Sequence, residues 1–162
     1  LNIARQPNCS ATTPLTTHFT LEEFTRSDKA RVLSIDNTPT PAIIANLRRL
    51  AKFNELVRLE LSGAAMVISS GYRCPSLNRV VGGVGNSAHL DGLACDFTAP
   101  TFGTPMEICQ ALEKSYLQFD QLIVERISGA VWVHLGIAVE GKTPRRQVLT
   151  IDSRGTRIGL WN

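Results

Sequence analysis

A chain of 162 residues, 43% hydrophobic and 19% charged, is long enough to bury a sizeable core and too apolar to stay disordered. Its formal charge of +3 is far from the basic balance of a nucleic-acid-binding protein, and mildly favours an anionic partner such as a bacterial cell wall. No apolar run is long enough to span a bilayer, so membrane insertion is not expected.

Leu1-Asn-Ile-Ala-Arg5 lacks the basic start and apolar block of a signal peptide, and with no initiating Met the localisation stays open. Residues 1–17 are rich in Thr, Pro and Asn and read as an irregular arm ahead of a single domain over 18–162. Thr20-Leu-Glu-Glu23 is a capping box that opens a short helix. Ser27-Asp28 and Asn37-Thr-Pro39 then punctuate the chain.

Thr40 and Pro41 supply an N-cap and a first helical residue. Ile43, Leu47, Leu50, Ala51 and Val57 follow at helical spacing, which predicts a long amphipathic helix to about residue 60. Met66 to Ser70 reads as a strand ending at Gly71, and Pro75 to Val81 as a short helix. Gly82-Gly83-Val-Gly85-Asn86 is a flexible loop.

Leu93 to Thr98 reads as a second strand, with Ala94 and Asp96 on one face and Cys95 and Phe97 on the other. Thr104-Pro105-Met-Glu107 repeats the capping logic and opens a helix to about Leu117. Three strands follow, near Gln121 to Glu125, Val131 to Ile137 and Gln147 to Ile151. Helices early and strands late predict an α+β domain with a mainly antiparallel sheet and flanking helices.

Cys9, Cys74, Cys95 and Cys109 match no zinc-finger or Cys-x-x-Cys spacing. They read as free, partly buried thiols, with a Cys74–Cys95 disulfide as the alternative.

Chemistry concentrates in Ser87-Ala-His89-Leu-Asp-Gly92-Leu-Ala94-Cys-Asp96, read together with Trp132-Val133-His134. Two imidazoles and one carboxylate are the ligand set of a catalytic zinc site, with a fourth position open to water. Such a site supports metal-assisted hydrolysis, with a peptide bond the expected target. Gly92 permits the tight backbone needed between His89 and Asp96. The competing reading is that these histidines are structural. His18, without evident partners, reads as non-catalytic.

The pattern Ser87-x-His89-x-x-Gly92-x-Ala94-x-Asp96 resembles the signature of the M15 zinc peptidases. That family includes D-alanyl-D-alanine carboxypeptidases, D-Ala-D-Ala dipeptidases and phage peptidoglycan endopeptidases. Ser70-Gly71-Tyr72-Arg73 and Trp132-Val-His134 match as well. His18 to Asp28, with Asn37-Thr-Pro, resembles the opening of the phage and prophage branch, so the resemblance spans roughly residues 18 to 150.

The resemblance implies a hedgehog/D,D-peptidase-like fold and zinc held by His89, Asp96 and His134. It implies a substrate drawn from peptidoglycan stem peptides, in a protein expected to act on the bacterial wall as a monomer. Arg73 carries over as the substrate-facing residue, binding a carboxylate or a carbonyl oxygen that gains charge. Ser87 either bonds substrate or shapes the His89 loop. Trp132 either walls the site or packs in the core. Tyr72 and the basic run Lys142 to Arg146 are further substrate-facing candidates, a solvated loop being the default for the run.

Hydrolysis also needs a carboxylate that takes a proton from water and passes it to the leaving amine. Many family members carry an acid three residues before the last ligand, where this chain has Val131. The nearest alternatives are Glu125 and Asp120. If the loop is Ile127 to Ala130, Glu125 pairs opposite Trp132 and lies diagonal to His134, whereas a one-residue slip turns it away. The phage-type Asp-Gln-x-x-x-Glu pattern also favours Glu125. The rival to a peptidoglycan hydrolase serving lysis or remodelling is a non-catalytic, zinc-containing wall-binding or structural domain of the same fold. A third reading is a surface component without metal.

Overall fold

Thr40 caps the longest helix as its sequence predicts, its hydroxyl accepting the Ile43 N–H at 3.4 Å with Pro41 at the first position. The computed structural model describes residues 12–162, so the stretch 1–11 of the expected arm, with Cys9, lies outside them. The rest of that arm is not detached. Leu15 is buried, and Pro14 bridges Thr20.

Among the described residues, five α-helices are α1 (Leu21–Thr25), α2 (Asp28–Val32), α3 (Pro41–Glu60), α4 (Pro75–Val80) and α5 (Pro105–Lys114). Six strands among them are β1 (Val67–Ser70), β2 (Ala94–Thr98), β3 (Gln121–Ile127), β4 (Ala130–Gly136), β5 (Gln147–Asp152) and β6 (Gly155–Ile158). They form one sheet in the order β1-β2-β4-β3-β5-β6, antiparallel except for the β3–β5 pair. The α+β class with a mainly antiparallel sheet is therefore observed. Among the described residues no helix is long and apolar enough to cross a membrane.

Three elements exceed the sequence expectation. Ser27 caps α2, its hydroxyl accepting the Ala30 N–H at 3.2 Å, where only punctuation was read. A 3₁₀ turn spans Ala88–Asp91. Strand β6 follows a tight turn after Asp152. Helix α5 stops at Lys114, short of Leu117, because Ser115 leaves the helical region at ψ 169° and ties its hydroxyl to the Leu112 carbonyl at 2.7 Å.

One face of the sheet carries the core. Phe97, Leu122, Val124, Val133 and Leu135 pack there against apolar residues of α3 and α5 such as Leu47, Leu50, Ile108 and Leu112. The other face is the one that Asp96 and His134 share. The turn joining β3 to β4 fixes which residues take which face. Ser128 and Gly129 both have positive φ, 52° and 84°, as a two-residue hairpin turn of the right-handed twist requires. Ile127 therefore pairs with Ala130, a shorter loop than expected, and Glu125 pairs with Trp132 as the sequence reading has it.

The crossover from β4 to β5 is held by arginines. Arg145 donates from Nε to both Asp120 oxygens, at 3.1 and 3.0 Å. Arg146 donates to the carbonyls of Glu113 (2.8 Å), Ser115 (3.1 Å) and Leu117 (2.7 Å) at the end of α5, and lies 4.8 Å over the Phe119 ring. The basic run is thus a structural staple, not merely a solvated loop. Cys74, Cys95 and Cys109 are free thiols, so no Cys74–Cys95 disulfide forms.

Truncating Arg146→Ala leaves those helix-end carbonyls without their charged donor. The expected loss is about 2 kcal/mol, or roughly 6 °C in Tm for a chain of this size, read by thermal denaturation.

Candidate metal centre and its groove

Three polar side chains converge where an apolar sheet would otherwise be dry. Asp96 on β2 and His134 on β4 are direct cross-strand partners. His89 arrives from the 3₁₀ turn, whose start is capped by Ser87 Oγ accepting the His89 N–H at 3.4 Å. Gly92 ends that turn in the left-handed region at φ 66°, which reverses the chain into β2. All three residues are buried.

The facing atoms are close. His89 Nε2 lies 3.2 Å from Asp96 Oδ1 and 3.1 Å from His134 Nδ1, and His134 Nδ1 lies 2.9 Å from Asp96 Oδ1. His89 Nδ1 lies 2.6 Å from the Gly71 carbonyl, which only accepts, so Nδ1 carries the hydrogen. The neutral ring then turns the Nε2 lone pair toward a carboxylate oxygen. Two acceptors that close need a cation or a proton between them. Tetrahedral zinc with bonds near 2.0–2.1 Å separates its ligand atoms by about 3.3 Å, so the triangle fits the ion. Gly71 also supplies the outer contact that orients a ligating imidazole.

Burial pushes the His89 imidazole below its ordinary range, against the pull of the Asp96 charge. Burial alone would raise the Asp96 carboxyl. In the metal-free centre a proton held between it and the His89 and His134 imidazoles outweighs burial, through charge and hydrogen bonding, and holds that carboxyl well below the usual carboxylate range.

The centre opens into a groove of about 980 Å³ whose lining includes Tyr72, Arg73, Ser87, Glu125 and Trp132. The three candidate metal ligands, Arg73, Glu125, Ser87, Trp132 and Tyr72 therefore lie on one concavity. Arg73 places Nη2 3.4 Å from Asp96 Oδ2, and its Nε is buried without a partner. Burial lowers its pKa, opposed by the charges of Asp96 and Glu125. Glu125 is lifted above the ordinary carboxyl range by burial and then by the Asp96 charge. His134, Arg73 and the Trp132 indole oppose that rise, although the Trp132 N–H makes no hydrogen bond in this geometry.

Strand alternation separates the remaining acids. Val131 pairs with Arg126 on the face of β4 opposite to His134, so an acid at 131 on this regular strand would point away from the groove. Asp120 is not among the lining residues, and its carboxylate is taken by Arg145. His18 is remote from the centre and contacts Glu55 through Nδ1 at 2.8 Å.

Two features escaped the sequence reading. Gly71 has no room for a side chain: a Cβ there would lie 2.4 Å from the Phe24 carbonyl, and that carbonyl accepts the Tyr72 N–H at 2.7 Å. The glycine-rich loop, read as flexible, is tied by buried Asn78, which donates from Nδ2 to the Val84 carbonyl at 2.9 Å. A lone Gly after a strand and an Asn within a short helix carry no sequence signal for such roles.

Gly71→Ala is expected to push α1 from β1 and cost about 3 kcal/mol, measured by thermal denaturation. In metal-free protein His89 is expected to stay neutral to below the ordinary 6.5. Ring ¹⁵N NMR against pH checks this, and the His89 share in cation uptake is lost only once that ring protonates.

No curated protein matches the chain. The family model described as Peptidase M15 matches residues 17–135, a segment that contains His89, Asp96 and His134, the group able to hold a metal ion. With most of its length covered by that match and the ligand triangle closed in space, this chain belongs to the M15 peptidase family.

Proposed function

We propose that this protein is a zinc-dependent peptidase that hydrolyses peptide bonds in peptidoglycan stem peptides or their cross-links, in wall lysis or remodelling. The observation that carries this reading is that Glu125 and Arg73 line the same groove as the His89–Asp96–His134 triangle. The triangle would hold the ion through His89 Nε2, Asp96 Oδ1 and His134 Nδ1. Zinc in such a site polarises a carbonyl and acidifies water.

The chain's own groups supply the remaining steps. The Glu125 carboxylate takes a proton from the attacking water and delivers it to the leaving amine as the C–N bond breaks. Its raised pKa suits a group that must hold a proton between those two events. Arg73 offers its guanidinium to the carbonyl oxygen as that oxygen gains charge, or to a substrate carboxylate. Trp132 walls the groove beside Glu125 and limits water there. Ser87 acts through His89, by capping the turn that carries it.

Val131 in place of the usual acid favours the second reading, a zinc-holding wall-binding domain without turnover. The alternation of β4 weakens that reading, since position 131 does not face the groove.

Glu125→Gln is expected to retain one zinc per chain and lose about a thousandfold in turnover. Asp120→Asn is expected to keep turnover, and His89→Ala to lose both zinc and turnover. Metal analysis, with mass spectrometry of fragments released from purified peptidoglycan, decides. Near-normal release by Glu125→Gln would refute its assignment. No release from several wall chemotypes by zinc-loaded wild type would favour the non-catalytic domain.

A further inference from the structure

The cross-strand pairing continues the metal centre across the sheet as a straight row. Asp96 pairs with His134, His134 with Ile123, Ile123 with Leu149, and Leu149 with Ile158. A second row beside it runs Trp132, Glu125, Ile151 and Thr156. Paired residues share a face, so both rows look into the groove side. Beyond Glu125 neither row carries a charge. Ile158 on the edge strand is 85% exposed, an aliphatic side chain left in water at the end of the row.

We infer that Ile123, Leu149, Ile151, Thr156 and Ile158 form a shelf for an extended peptide, so that the substrate is a chain of several residues and not a free dipeptide; this rests on the peptidase reading above. From β4 to β6 there are three strand spacings, about 14 Å. That length holds roughly four extended residues at 3.3–3.6 Å each. Ile123 and Leu149 are buried at the floor of the shelf, 4% and 6% exposed, and Ile151 and Thr156 line the same groove as His134 and Glu125, which makes the shelf continuous with the centre. Its aliphatic side chains favour the small apolar residues of such a peptide, and Arg145 lines the groove beside them. A free dipeptide spans at most about 7 Å, so it fills the centre without reaching Ile151 and Ile158. Strands β5 and β6, which carry most of the shelf, lie past residue 135, where the family match ends.

Isoleucine δ1-methyl NMR on metal-free protein tests the shelf, with a synthetic stem pentapeptide and D-alanyl-D-alanine titrated separately. The pentapeptide is expected to shift Ile123, Ile151 and Ile158, and the dipeptide to leave Ile151 and Ile158 unmoved. Ile158→Asp, an exposed substitution outside the centre, is expected to weaken pentapeptide binding about tenfold, with zinc content and Tm unchanged. A pentapeptide that moves none of these methyls, or a dipeptide that moves them equally, overturns the shelf. Failure of the peptidase reading looks different: the methyls move and Ile158→Asp weakens binding, yet zinc-loaded protein cleaves neither peptide.

Discussion

The pairing of Asp96 with His134 across β2 and β4 is the constraint on which the rest of the molecule depends. A carboxylate in an apolar sheet is tolerable only if it is paired and hydrogen-bonded. Here two imidazoles and a guanidinium surround it. A one-residue slip of β2 against β4 would send the carboxylate into the hydrophobic core beside Phe97 and Val133. The chemistry and the register therefore enforce one another. The Ser128–Gly129 turn extends the same registration to β3 and brings Glu125 to the groove side.

The two faces of the sheet divide the work. The helix-covered face supplies rigidity, with Phe97, Leu122 and Leu135 fully buried against α3 and α5. The open face spends none of its positions on that packing. Polar groups therefore collect on β2 and β4 and at Gln121 and Glu125 of β3, and aliphatic groups at Ile123 and on β5 and β6. The arginine staples on the crossover keep β5 beside β3, so the polar and aliphatic halves form one surface.

Much of this was legible in the sequence because it is written in local chemistry. Thr40-Pro41 and Thr104-Pro105 mark helix starts through capping, which needs only neighbouring residues. Alternation along Leu93 to Thr98 places Asp96 correctly because the side-chain period of a strand is two. The groove-side placement of Glu125 also follows from alternation, while Asp120, whose carboxylate is held by Arg145, does not line the groove. What stayed hidden depends on distant partners. The roles of Gly71 and Asn78 need Phe24 and Val84 to be in place. The parallel β3–β5 pair and the turn into β6 are tertiary choices that no local spacing encodes.

Gly71 joins two parts of the chain that are remote in sequence. Its Cα side abuts the last turn of α1, and its carbonyl receives the His89 ring hydrogen. The seating of the first helix and the orientation of an imidazole are thus one mechanical event. Free energies of binding are reciprocal: whatever an ion gains from a well-seated α1, α1 gains from the ion. An ion held in the centre would therefore be expected to raise the proteolytic resistance of α1 as well, and a loosened α1 to weaken ion uptake.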